Sequence, residues 1–98
     1  MTVERVDFER LEDAPPAFER WQVRVLLRGS GFEHRSAPIV VAVGELNVEL
    51  IVPLITDEGI AGIQGLLTEV PPNGAEVSVG YADGPLFGTG FEFSASQL

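Results

Sequence analysis

The sequence predicts an α+β domain: a largely antiparallel sheet of about five strands, in the order β-β-β-α-β-β, with one helix packed on one face. Three observations carry this. Apolar residues alternate at period two through 21–29 and 46–54. Paired turn signals stand at Gly44-Glu45 and Asp83-Gly84-Pro85. Between those two hairpins, the stretch TDEGIAGIQGLL (56–67) places its apolar residues at helical spacing.

In chain order, residues 1–14 carry sparse apolar positions (Val3, Val6, Phe8, Leu11) that fit neither period, so strand and helix both stay open. Pro15 and Pro16 break the segment, and residues 1–16 are set apart as a charged, peripheral N-terminal piece of one domain spanning 1–98. The run WQVRVLLRG (21–29) puts Trp21, Val23, Val25 and Leu27 on one face and Gln22, Arg24, Leu26 and Arg28 on the other, a strand with one wet side. GSGFEHRSAP (29–38) is a turn-rich loop, and IVVAV (39–43) is a strand buried on both sides. Gly44-Glu45 fits a two-residue type II′ turn. The strand after it is expected to point Leu46, Val48, Leu50, Val52 and Leu54 inward, with Pro53 marking an edge or a strand end.

The helix is expected to start at Thr56 or Asp57 as N-cap, with Asp57 and Glu58 at the positive end of its dipole. Ile60, Ile63, Leu66, Leu67 and Val70 gather on one stripe, and Pro71-Pro72-Asn73-Gly74 ends it. Gly59, Gly62 and Gly65 run down its flank, at a cost of roughly 3 kcal/mol relative to alanine. Such a helix forms only if its bare flank lets a strand, a helix or a second subunit approach closely. A phosphate-binding loop is the rival reading. It is disfavoured because the spacing is G-x-x-G-x-x-G, no basic residue follows, and two acids occupy the anion's place. Residues 75–82 and 86–93 complete a second hairpin. Its outer face is expected to pair Gly80 with Gly88, Ser78 with Gly90, and Glu76 with Glu92, with Arg24 and Arg28 as candidate partners for the two acids.

Composition narrows function mainly by exclusion. The chain has 98 residues, 45% of them hydrophobic, and no cysteine, so thiolate nucleophiles, disulfides and sulfur-ligated metals are out of reach. Net charge is −9, and all six basic residues are arginines within the first 35 positions. From residue 36 onward there are only acids: Glu45, Glu49, Asp57, Glu58, Glu69, Glu76, Asp83 and Glu92. That half repels phosphate backbones and anionic membranes, so neither nucleic acid nor membrane is expected as a partner. The apolar run 37–55 is interrupted by Glu45, Asn47, Glu49 and Pro53 and fits two paired strands better than a membrane span. The N-terminus lacks the uncharged core of a signal peptide, which points to the cytoplasm.

No cofactor or metal motif is present in the sequence. His34, the single histidine, stands beside Glu33 in the 29–37 loop. This pair is the candidate for general acid–base work, although sequence adjacency alone does not orient a base. The favoured function is therefore a small, acidic, non-catalytic protein-interaction module. It would self-associate as a homo-oligomer, or bind or inhibit a basic protein, through Gly59, Gly62, Gly65, Glu76, Gly80, Gly88, Gly90 and Glu92. The alternative is a small enzyme or ligand-binding domain built on the 29–37 loop, with His34 and nearby acids.

Overall fold

The computed structural model describes residues 1–11, 21–32 and 38–98, and over them the chain is built of strands. These are β1 (Thr2–Arg10), β2 (Val23–Ser30), β3 (Ile39–Val43), β4 (Leu46–Asn47), β5 (Glu49–Thr56), β6 (Gly59–Leu67), β7 (Glu76–Tyr81) and β8 (Phe87–Glu92), followed by a single 3-10 turn at Ala95–Gln97. They form two antiparallel four-stranded sheets, ordered β1-β2-β6-β5 and β4-β3-β7-β8. The expected α+β arrangement is thus replaced by a two-sheet, all-β one, and the expected helix is a hairpin.

The reason lies in Thr56-Asp57-Glu58-Gly59. The Glu58 N–H donates to Thr56 Oγ1 at 3.3 Å, and that hydroxyl donates to the Gly59 carbonyl at 3.1 Å. Gly59 takes φ 114°, a conformation closed to most other residues. The same Thr and Asp that cap helices also close turns through their side-chain oxygens. Here the turn prevails, because β6 then buries Ile63 and Leu67 at period two against β2. The helical spacing of Ile60, Ile63 and Leu66 was accidental.

One core joins the two sheets. Val6 and Phe8 of β1, Val23, Val25 and Leu27 of β2, and Ile63 and Leu67 of β6 pack with Val41 and Val43 of β3, Val77 and Val79 of β7, and Phe93. Phe8 and Phe93 meet edge to face with ring centroids 4.9 Å apart, linking the N-terminal strand to the C-terminal segment. The charged N-terminal segment is accordingly integral over β1. Its acids also take the arginines that had been assigned to the last hairpin: Arg24 pairs with Glu9 at 3.3 Å, while Arg5 and Arg28 stand 2.8 and 3.9 Å from Asp7. All three pairs are substantially exposed and contribute little stability.

The sheets are also joined covalently by a corner. Gly44, at φ 61°, opens the two-residue turn between β3 and β4. The chain then continues through buried Val48, whose N–H donates to the Val41 carbonyl at 2.9 Å, into β5 of the other sheet. At the corner Leu50 adopts φ 53°, and the β5–β6 register slips between Glu49 and Val52. The slip inverts the expected facing: Ile51 packs against the core, whereas Leu50 and Val52 are exposed. No helix among the described residues is long and apolar enough to cross a membrane.

Candidate functional site

Exposed apolar surface concentrates on the β5–β6 hairpin. Leu50, Val52 and Ile55 on β5 are 57%, 48% and 75% exposed, and Ile60, opposite Ile55 at the tip, is 41% exposed. β5 is the outermost strand of its sheet, so its outer edge has no strand beside it among the described residues. Pro53 withholds one N–H from the β5 backbone, and the left-handed turn at Leu50 interrupts it, so a long uninterrupted ladder along that edge is not available. Recognition there must rest mainly on side chains.

Acids bracket this apolar strip. Glu49 precedes it, and Asp57 and Glu58 form the hairpin turn beyond it; all three are exposed. No ion pair to any of the three is formed by an arginine among the described residues. The arrangement is a narrow apolar band with negative charge at both ends.

The glycines singled out in the sequence fall in different environments. Gly62 sits on β6 opposite Arg28, and a Cβ there would run into the Leu27 carbonyl oxygen and approach the Arg28 Cα to 2.9 Å. At Gly65 a Cβ would meet the Val48 side chain and come within 3.0 Å of the Glu49 carbonyl oxygen. Both glycines therefore serve contacts inside the domain, one between neighbouring strands and one beneath the corner. Gly59 has open space around it and serves the turn.

On the other sheet, Glu76 does stand opposite Glu92, but the rest of the expected register is shifted, with Ser78 opposite Gly88. A bulge causes this. Gly90 takes φ 83°, the Thr89 hydroxyl donates to the Val77 carbonyl at 2.7 Å, and the Phe91 N–H donates back to that hydroxyl at 3.2 Å. The Glu76 carboxylate lies directly over Gly88, while Gly80 packs beneath Pro85 and Leu86. None of these residues adjoins the β5–β6 band in the sheet order.

His34 and Glu33 lie outside the described residues. Among the described residues no cluster of three or more His, Asp or Glu is placed to hold a metal. An open groove of about 510 Å³ runs between the β3–β4 turn and residues 69–75, with Glu45, Glu69 and Val70 on its walls. Two carboxylates on an open wall, with no orienting partner among the described residues, do not make an acid–base pair.

The β5–β6 band was not legible in the alternation, which assigned Leu50 and Val52 to the core. The available signal was the run Leu50-Ile51-Val52, in which apolar residues occupy both faces of a strand. Neither a protein-family model, nor a curated protein, nor a solved structure is significantly similar to this chain.

Proposed function

We propose that this protein is a small, acidic, non-catalytic protein-interaction module that works in the cytoplasm and engages its partner through the β5–β6 hairpin. The observation that carries this reading is the exposure of Leu50, Val52, Ile55 and Ile60 on an edge strand and its hairpin mate. Scattered surface apolar residues are ordinary; four large ones on one hairpin form a patch of the kind that marks interaction surfaces. The interaction role first assigned to the glycines moves to this hairpin, because Gly62 and Gly65 accommodate neighbours within the domain.

The test is co-purification from the source cell with wild-type protein and with the double variant Val52→Ser/Ile55→Ser. Both positions are highly exposed, so the variant keeps its fold, which circular dichroism checks. The expected result is a stoichiometric partner, or a second copy, recovered with the wild type and lost with the variant. Recovery that ignores the substitutions, or no recovery at all, refutes the reading.

A further inference from the structure

We infer that the occupant of the β5–β6 hairpin is an extended, basic segment of another protein, apolar in its middle and cationic at both ends, and not a second copy of this chain. The inference rests on the interaction reading above and adds the chemistry of the partner.

Geometry sets the length. β5 runs from Glu49 to Thr56, seven residue steps or at most about 23 Å at ~3.3 Å each, with Asp57 in the turn just beyond it. An extended segment of about eight residues matches that span. Along it the order is acid at Glu49, apolar at Leu50, Val52 and Ile55, and acid again at Asp57 and Glu58. A complementary segment carries valine, isoleucine or leucine at its centre, with arginine or lysine at each end.

The same order argues against self-pairing. Two copies related by a two-fold axis use the same patch on both subunits; laid parallel, β5 would set each acid beside its own copy, and the alternative is to lay β5 antiparallel to β5. That places Glu49 of one copy near Asp57 and Glu58 of the other, twice over, between molecules that each carry −9. Directly opposed like charges are unfavourable across a strand pair. Pro53 and the turn at Leu50 further deprive such a dimer of a continuous main-chain ladder. A cationic segment turns both penalties into attractions and needs only side-chain contacts. Electrostatic steering toward an acidic surface also speeds encounter.

The test uses a fluorescein-labelled peptide with two arginines at each end and alternating valine and threonine between. Controls are the same peptide with glutamates for the arginines and another with serines for the valines. Binding to the full chain is followed by anisotropy at low and physiological salt, and amide shifts of the ¹⁵N-labelled protein locate the site. The expected result is binding of the arginine peptide alone, with shifts centred on residues 49–60. Its affinity should fall about tenfold in Glu49→Gln/Asp57→Asn/Glu58→Gln, fall likewise in Val52→Ser/Ile55→Ser, and weaken with salt.

Binding unaffected by the triple substitution would mean that only the overall charge attracts the peptide, and would overturn the inference. So would a wild-type dimer in light scattering that Val52→Ser/Ile55→Ser dissolves, or capture by neutral lipid vesicles with that same sensitivity. Absence of peptide binding overturns it too. If co-purification is nevertheless lost in Val52→Ser/Ile55→Ser, the interaction reading stands and only the partner chemistry fails. If co-purification ignores that variant, the interaction reading itself has failed.

Discussion

Replacing Gly62 with alanine separates a helix from a strand over residues 59–67. In an exposed helix flank, glycine to alanine gains about 1 kcal/mol. On β6 the outcome reverses. The new Cβ would run into the Leu27 carbonyl oxygen and stand 2.9 Å from the Arg28 Cα and 3.0 Å from the Leu27 carbonyl carbon. All three are backbone atoms of β2, and β2 and β6 are the two inner strands of their sheet, so neither can swing aside without disturbing a neighbour on its other side. Overpacking of this sort costs ~1–3 kcal/mol, and contact with fixed backbone places this case at the upper end. For a domain of this size a loss of ~3 kcal/mol lowers Tm by roughly 12–24 °C. Urea and thermal unfolding followed by circular dichroism measure it. Gly84→Ala is the control, since nothing lies within 4 Å of its Cβ position and its φ is not in the left-handed region. That substitution should stabilise by ~0.4–1 kcal/mol through the unfolded chain alone. A Gly62→Ala protein as stable as wild type, or more so, would refute the strand pairing of β2 with β6.

Three further outcomes follow from the packing. Phe93→Ala removes a ring that is 1% exposed and stacked edge to face on Phe8, and should cost about 3–5 kcal/mol in chemical denaturation. Leu50→Gly relieves a left-handed leucine that is already 57% exposed, so a gain of about 1 kcal/mol in urea unfolding is expected; a loss would mean that the leucine side chain holds the corner. Thr89→Val deletes the hydroxyl that satisfies the Val77 carbonyl and the Phe91 N–H, with an expected loss of ~1–3 kcal/mol and faster amide exchange at Phe91.

What could be read from the sequence divides along a physical line. Alternation reported the core face of β2 correctly, where Val23, Val25 and Leu27 all join the core, although Leu26 on the face expected to be wet is buried as well; Gly44-Glu45 does form the two-residue turn. It failed wherever an irregular residue resets the phase. One left-handed residue at Leu50 turned Val52 outward and Ile51 inward. A bulge at Gly90 moved Gly88 opposite Ser78. These events depend on tertiary closure, because a leucine has no local reason to adopt φ 53°. The helix failed for another reason. Thr-Asp-Glu-Gly is a good N-terminus and a good turn, and only the pairing partners of β6 decide between them. The band on β5 was missed as a direct consequence of the Leu50 reset, since its residues had been placed in the core.

That origin raises the question of whether the band is merely a by-product of the corner. A chain that leaves one sheet at Val48 and enters the other by Ile51 has to turn over, and exposure of Leu50 and Val52 follows from the turning alone. The corner does not account for Ile55 and Ile60. They stand opposite each other beyond a second register shift, at the far end of the hairpin, where neither belongs to the core and both are exposed. Nothing in the packing among the described residues asks for isoleucine there. Threonine would suit an exposed hairpin tip equally well as a strand residue, and lysine would guard the edge against wrong pairing. Two isoleucines kept at that tip, next to acids that form no ion pair with a described arginine, fit a surface that is covered when the protein is at work. Ile55→Thr is the substitution that separates these accounts, because a by-product can lose its isoleucine without losing its partner.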